Sequence, residues 1–221
     1  MKSRTKRVWM NILSATVVSL TMLFSFLAII VLSLNIVYVK TYVRGYSMQP
    51  TLNKNITDPN IDGDLIYVNK YMPLENNDII VANVSWYPEP IVKRLIGKPG
   101  DTIEIKQVNN EYHLLVNNAF VYAREKTTSS PHGIAFERYT NILSNPDWAN
   151  NVITREDNSK CIILNDDEYF VMGDNWAEST DSLTHGPIHK SNIVGRVELI
   201  VEPKENRFMK LTQFILNGLF S

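Results

Sequence analysis

The first forty residues divide into a short basic segment and a long apolar run. Residues 1–7 carry four basic side chains and no acidic one, and residues 8–39 carry no charged side chain beyond that segment. A helix needs about 20 apolar residues to cross a bilayer, so the pattern predicts a transmembrane anchor over residues 8–39. Because basic flanks stay on the cytoplasmic side, we expect residues 1–7 to form a cytoplasmic tail and the remaining chain to be extracytoplasmic.

A cleaved signal peptide is the alternative interpretation of the same run. Its apolar region would measure about 7–15 residues and would be followed by a small-x-small site. The run here is longer, and the sequence VYVKT at its end, residues 37–41, offers no such site. The pattern therefore favours one uncleaved, single-pass anchor.

Residues 42–203 show a different pattern, in which short β-forming runs alternate with turn residues. This pattern predicts a mainly β fold. Asn117 and Asn118 suit a two-residue type I′ hairpin turn. Residues 127–158 are rich in Ser, Pro, Asn and Asp, and we expect a mixed loop with short elements there rather than a long helix. The predicted strands cover residues 65–68, 78–84, 91–96, 102–105, 113–116, 119–122, 161–164, 168–172 and 193–201.

A second apolar segment, FMKLTQFILNGLF, occupies residues 208–220. Its 13 residues are too few to span a bilayer. Its apolar spacing predicts an amphipathic helix within a C-terminal segment of residues 204–221. Two alternatives stay open: the helix lies on the membrane surface, or it packs on the domain.

Composition narrows the possible chemistry. The 221 residues carry a formal net charge of −1, which disfavours nucleic acid as a partner. The single cysteine, Cys161, excludes an internal disulfide. His185 and His189 have the i, i+4 spacing of metal ligands, but Gly186 and Pro187 lie between them and break the helix that such a site needs. We therefore expect no metal and no cofactor.

Ser47 raises a question about nucleophilic catalysis. It lies in RGYSMQPTL, residues 44–52, and is either a turn residue or a nucleophile. A serine nucleophile needs a neighbouring base to take its proton. His185 is the one plausible histidine for a familiar triad. The alternative base is a lysine whose pKa is lowered by burial.

Lys93 is the lysine whose surroundings fit that role. It lies in the apolar run IVKRLI, residues 91–96. Side chains alternate along a strand, so Lys93 and Arg94 point to opposite faces and one of them lies among apolar neighbours. Alternation leaves open which of the two points inward, and a solvated edge strand is a further alternative.

Four blocks, in this order, resemble the motifs of the bacterial type I signal peptidases. YSMQPTL at residues 46–52 resembles the serine box S-M-x-P-T-L, and GDLIYV at residues 63–68 resembles the strand block after it. KRLIGKPGD at residues 93–101 matches the lysine box K-R-x-x-G-x-P-G-D. GDNWAESTDSLTHG at residues 173–186 resembles the box G-D-N-R-x-x-S-x-D-S-R-x-x-G. The third block carries lysine where the ER-type relatives carry histidine, and in this respect the chain resembles the bacterial branch.

The resemblance implies a fold and an activity. The fold is a signal-peptidase-like β-barrel or sheet catalytic domain of residues 40–104 and 165–203, with a smaller inserted β-rich cap of residues 105–164. The activity is that of a membrane-anchored serine endopeptidase in the bacterial cell membrane. It removes signal peptides from secreted preproteins after small residues at the −1 and −3 positions. Its implied partners are those preproteins and the lipid bilayer.

The resemblance also implies roles for individual residues. Ser47 is the nucleophile, Lys93 is the general base, and Ser179 hydrogen-bonds and orients the Lys93 amine. The backbone N–H of Ser47 donates into the oxyanion hole. Some members add a hydroxyl two residues before the nucleophile, where this chain has Gly45.

An extended substrate is implied along residues 41–45 and 90–92, as a peptide added to strand edges. The residues implied to bind it are Val43, Gly45, Met48, Leu52 and Val92. The alternative interpretation of Met48 is that it is an ordinary core residue.

Two positions depart from the family motifs. Trp176 and Leu183 stand where the motifs have arginines. The family counterpart of Asp181 pairs with basic side chains, so Asp181 has lost one partner here, and Arg94 is the expected substitute. The implied supporting residues are Arg94, Asp174, Asp181 and Ser182.

These departures motivate an alternative function. The chain would then be a catalytically weak or inactive assembly factor that serves a small substrate set, for instance pilus-type substrates. A self-cleaving Ser/Lys repressor protease is a further alternative. The apolar run of residues 8–39 and the long insertion at residues 104–167 argue against it, because such proteases are cytosolic.

Overall fold

The computed structural model describes residues 2–108, 111–121 and 131–220. By its internal contacts the chain divides between residues 39 and 40 into two compact units. The first unit contains helix α1, Lys2–Val37, which ends two residues before the predicted anchor boundary at residue 39 because residues 38–42 form a β-strand. Its stretch Arg7–Val37 has a mean hydropathy of 2.6 and is long and apolar enough to cross a membrane.

Several polar side chains within α1 bond to carbonyls of the helix itself. The hydroxyl of Ser33 donates to the carbonyl of Ile29 at 2.8 Å, and the amide of Asn35 donates to the carbonyl of Val31 at 2.9 Å. A buried polar group without a partner is costly in hydrocarbon. These internal bonds explain how an apolar span tolerates serine and asparagine.

Strands within residues 38–201 form a seven-stranded sheet, and its central strands are the long apolar runs of the sequence. The strands are β1 (Tyr38–Tyr42), β2 (Leu65–Asn69), β3 (Ile79–Ala82), β4 (Ile91–Gly97), β10 (Glu168–Met172), β11 (Ile188–His189) and β12 (Ile193–Val201). Their order in the sheet is β1-β2-β12-β3-β4-β10-β11. The pairs from β2 through to β11 are antiparallel.

A smaller five-stranded sheet is formed by the chain between β4 and β10. The strands are β5 (Thr102–Val108), β6 (Glu111–Val116), β7 (Ala119–Val121), β8 (Val152–Thr154) and β9 (Lys160–Ile163). Their order is β7-β6-β5-β9-β8. Asn117 and Asn118 join β6 to β7 with φ of 51° and 66°. The predicted two-residue hairpin turn and the mainly β fold are thus confirmed.

Helix α2, Pro131–Ser144, contradicts the expectation that residues 127–158 hold no long helix. Its Tyr139 and Ile142 are buried in a core cluster with residues of both sheets, such as Ile103 and Phe170. Packing of this face overrides the weak local signal of the sequence, as it commonly does for helices.

Helix α4, Arg207–Phe220, follows β12. Leu211 and Phe214 pack on buried residues that include Leu65 and Leu199. The alternative in which the helix packs on the domain is confirmed for this face. Phe208 is exposed, and contact of the remaining face with a membrane stays a prediction.

Candidate active site

Lys93 and Ser47 come together although 46 residues separate them in sequence. The Nζ atom of Lys93 lies 2.7 Å from the Oγ atom of Ser47 and 3.2 Å from the carbonyl oxygen of Val92. Lys93 extends from β4, and Ser47 lies in the turn that follows β1. The structure thus shows which face of β4 meets the serine: Lys93 faces Ser47, and Arg94 faces the other side.

Burial makes the Lys93 amine a stronger candidate for a base than a free lysine. The residue is 5% exposed. Desolvation lowers the pKa of Lys93 to about 8, and the carboxylate of Asp181 opposes this by favouring the charged amine. A substantial fraction of the amine is therefore neutral in mildly alkaline solution.

The backbone of Ser47 is fixed by the loop that follows β10. The N–H of Asn175 donates to the carbonyl oxygen of Ser47 at 2.9 Å. Gly173 lies so close that a Cβ atom there would overlap the Ser47 carbonyl oxygen and the Ser179 side chain. The glycine of the fourth motif is thus required by this close approach.

Ser179 contacts a different group from the expected one. Its hydroxyl donates to Oδ2 of Asp181 at 2.5 Å and accepts from the N–H of Gly173 at 3.1 Å. The expected hydrogen bond between Ser179 and the Lys93 amine is not formed among the described residues, where the amine bonds Ser47 and the carbonyl of Val92 while the Ser179 hydroxyl donates to Asp181. Ser179 therefore touches the site through Asp181, which is fully buried.

Arg94 also has a different partner from the expected one. Its Nε and Nη2 atoms lie 2.6 Å from the two carboxylate oxygens of Asp174, and its Nη1 donates to the carbonyl of Asn77 at 2.6 Å. The expectation that Arg94 replaces the lost partner of Asp181 is wrong, because the guanidinium of Arg94 is bound by Asp174 and the carbonyl of Asn77. The hydroxyl of Thr51 donates to the same carboxylate, so this pair joins β4 to the segment after Ser47.

Arg138, on α2, is the basic residue near Asp181. Its Nη1 atom lies 3.7 Å from Oδ1 of Asp181 and donates to the carbonyl of Ser179, and its Nη2 donates to the carbonyl of Trp176 at 2.8 Å. The sequence held no signal for this residue, since it lies outside all four motifs. Its contact depends on α2, which was not predicted.

Trp176 and Leu183, the two departures from the family motifs, are core residues. Both belong to the buried cluster that contains Tyr139 and Ile142 of α2. The apolar side chains at these positions are explained by that packing. The hydroxyl of Ser182 accepts from the N–H of Val171 at 2.9 Å, which closes the short helix α3, Ser182–His185, onto β10.

The ring of His185 packs against Trp86. The two rings stack with centroids 4.3 Å apart and an angle of 9° between the planes. Burial lowers the pKa of His185 below its usual value. Within the described chain, the side chain that contacts the Ser47 hydroxyl is that of Lys93. The geometry therefore supports lysine over histidine as the base.

A groove of about 700 Å³ opens over Ser47 and Lys93. Residues 41–45 and 90–92 line it, so Val43, Gly45 and Val92 are at its surface as expected. Met48 and Leu52 are not among its lining residues. They are buried in the core cluster that also contains Val43, which agrees with the alternative role of Met48.

One edge of β4 is open beside this groove. The pairs that β4 makes with β10 begin at Arg94 and run to Gly97. In the described pairing, residues 91–93 therefore have β3 on one side and no strand on the other. Such an edge can accept an extended peptide.

In residues 2–108, 111–121 and 131–220, no group of three or more His, Cys, Asp or Glu side chains could hold a metal ion. Cys161 is buried in β9.

Comparison with known proteins identifies the family. The sequence profile described as "Signal peptidase, peptidase S26" matches residues 15–202. The chain belongs to this family of peptidases. Ser47, Lys93 and Ser179 all fall within the matched region.

Curated relatives agree with the family assignment. The chain is 34% identical over 178 residues to "Signal peptidase I P" of Bacillus subtilis subsp. natto, with 78% of this chain and 81% of the relative covered. It is 27% identical over 172 residues to "Signal peptidase I" of Streptococcus pneumoniae, with 73% and 80% covered. A crystal structure of a signal peptidase I from Enterococcus faecalis matches with a TM-score of 0.36 and 23% identity, over 57% of this chain and 98% of that one.

Proposed function

We propose that this S26 peptidase removes signal peptides from secreted preproteins, with Ser47 as the nucleophile and Lys93 as the general base. The observation that supports the proposal best is the 2.7 Å separation between a hydroxyl and a buried amine. The names of the relatives, signal peptidase I, support the substrate class.

The proposed reaction starts with the neutral amine. As Ser47 Oγ forms a bond to the scissile carbonyl carbon, Lys93 Nζ takes the hydroxyl proton. The resulting ammonium gives this proton to the nitrogen of the leaving peptide when the amide bond breaks. Water, deprotonated by Lys93 in the same way, then attacks the acyl-enzyme ester. The bond from the carbonyl carbon to Ser47 Oγ breaks, the Lys93 ammonium returns its proton to that oxygen, and the signal peptide leaves as a carboxylate.

The oxyanion needs donors close to Ser47. We assign the first to the Ser47 backbone N–H, which has no backbone acceptor among the described residues. A single donor of this kind contributes about 3 kcal/mol to the transition state. Gly45 has a φ of 80°, and the position that a Cβ atom would take there has no neighbour within 4 Å. This open space beside the serine leaves room for a second backbone group or a water.

The groove supports an extended substrate bound along residues 41–45 and 90–92. Val43 and Val92 would border shallow pockets that fit small side chains at the −1 and −3 positions. Met48 and Leu52 would act from beneath, as the packed core under these pockets.

We further propose that residues 8–39 anchor the protein in a cell membrane as a single span, with residues 1–7 cytoplasmic. The catalytic domain, residues 40–104 and 165–203, would be extracytoplasmic with its cap of residues 105–164. The helix Arg7–Val37 supports the anchor by its length and apolar composition. This topology would place the groove on the side where preproteins emerge.

The test is cleavage of a preprotein with an A-x-A site by the detergent-solubilised full chain. We expect the wild type to cut after the second small residue, as read by N-terminal sequencing of the product. Ser47→Ala and Lys93→Met should each abolish cleavage while the folded state is retained. Cleavage by Lys93→Met combined with loss of cleavage in His185→Ala would overturn the assignment of the base.

A further inference from the structure

Arg138 lies outside the family motifs, yet it contacts the fourth motif at three points. It bonds the carbonyls of Trp176 and Ser179 with separate nitrogens, and it lies 3.7 Å from the Asp181 carboxylate. The two carbonyls are three residues apart. One planar guanidinium therefore fixes both ends of the loop that carries Ser179, as its fork geometry allows.

The burial of Arg138 has a cost in folding free energy, so its position calls for a compensating role. Its side chain is 17% exposed, and its Nε atom is buried without a hydrogen-bond partner in the described chain. An unsatisfied buried donor normally reduces stability. The arrangement is explained if the remaining nitrogens hold the loop in a geometry that the active site needs.

We propose that Arg138 is a positioning residue of the active site, which holds the loop of residues 176–181 and the Asp181 carboxylate in place. The proposal rests on the function proposed above. Arg138 acts through Asp181, whose Oδ2 accepts from Ser179 and from the N–H of Gly173. Gly173 in turn packs against the carbonyl of Ser47. A chain of direct contacts thus runs from α2 to the nucleophile.

The charge of Arg138 also bears on Lys93. The groups nearest this centre are Lys93 on β4, Arg138 on α2, and Asp181 and His185 on the segment after β10. The other charged groups are those of the groove wall and the ion pair beside Lys93, namely Arg44, Asp62, Glu89, Glu178, Arg94 and Asp174. The negative charge of Asp181 raises the pKa of Lys93. A guanidinium beside Asp181 offsets part of that charge. Loss of Arg138 should therefore make the Lys93 amine harder to deprotonate.

The experiment compares three variants of the full chain in detergent. Arg138→Met keeps most of the side-chain volume and loses the charge and both carbonyl bonds. Arg138→Lys keeps the charge but not the fork. Arg155→Met is the matched control, because Arg155 also pairs with a buried carboxylate, that of Glu104 at 2.6 Å, on the other sheet.

We expect Arg138→Met to lower kcat about tenfold with little change in KM, because loop positioning rather than substrate contact is lost. The midpoint of the rise of kcat/KM with pH should lie about half a unit to one unit higher in this variant than in the wild type. Arg138→Lys should restore the pH midpoint and part of kcat. Arg155→Met should change neither the midpoint nor kcat, whatever it does to the unfolding temperature.

A second measurement separates this proposal from the proposed function. The pH at which Lys93 becomes half-reactive to acetic anhydride, followed by mass spectrometry of its peptide, needs no turnover. A higher half-reactive pH in Arg138→Met supports the effect of Arg138 on Lys93, even if the wild type cuts no preprotein. Lack of cleavage by the wild type would overturn the proposed function and leave this effect standing. An unshifted midpoint in both measurements, or equal shifts in Arg155→Met, would overturn the role of Arg138.

Discussion

A lysine that acts as a base must be buried, and burying it has a cost in stability. The pKa of Lys93 is lowered from 10.5 to about 8 by desolvation. Between these values the unfolded chain binds more protons than the folded one, so stability rises with pH across that window. Below about pH 8 the cost is fully present, and it corresponds to about 3 kcal/mol.

We therefore predict that Lys93→Met is more stable than the wild type at pH 7. The advantage should be at most about 3 kcal/mol and should shrink as the pH approaches 10.5. Thermal unfolding of both proteins at a series of pH values checks this. A stability difference that does not change with pH would mean that the Lys93 amine is solvated in the folded state.

Gly173 gives a second prediction for a single residue. Gly173→Ala should lower the cleavage rate about 100-fold, since the new methyl group must displace the Ser47 carbonyl or the Ser179 side chain. Gly218→Ala is the control, because a Cβ atom there has no neighbour within 4 Å. Equal cleavage rates in the two variants would show that the close approach at Gly173 has no part in catalysis.

Some of these residues were predictable from sequence and some were not. Ser47 and Lys93 lie in compact motifs, so local sequence was enough to select them. The partner of Arg94 was not predictable, because Asp174 lies 80 residues away and competes with Asp181 for the same arginine. Arg138 was missed for the same reason, since no local pattern links a helix residue to carbonyls about 40 residues later.

Among the elements, those with a clear apolar pattern were predicted and those without one were missed. Most strands of the larger sheet are apolar runs bounded by turn residues and carry their own signal, whereas β1 (Tyr38–Tyr42) and the two-residue β11 (Ile188–His189) were not predicted. Helix α2 has no such signal, since its segment is rich in polar residues and its stability comes from burying Tyr139 and Ile142. The same packing explains why Trp176 and Leu183 are apolar.

This packing predicts the outcome of restoring a family arginine. Leu183→Arg would place a charge in the cluster between α2 and α3, where Leu183 is 1% exposed. We expect a loss of about 3 kcal/mol or more in unfolding free energy, because an unpaired buried charge is strongly destabilising. Denaturant unfolding measures this loss, with Thr184→Arg on the same short helix as an exposed control. An unchanged or higher stability would mean that the site tolerates either residue.

At the scale of the whole molecule, the chain combines an apolar helix with a β domain that carries Ser47 and Lys93 in its groove. The contacts divide these two parts between residues 39 and 40. Ser47, Lys93, the loop of residues 176–181 and Arg138 of α2 all lie in the second part. We therefore attribute the chemistry to the β domain and the location to the helix.

The pH dependence of kcat/KM for preprotein cleavage by the full chain tests the Lys93 base most directly. A buried lysine base predicts a rate that rises with pH through a midpoint near 8. A midpoint near 10.5 would mean a solvated lysine, and a midpoint at or below 6.5 that disappears in His185→Ala would make histidine the base. Either result would contradict a mechanism in which the neutral Lys93 amine takes the proton of Ser47.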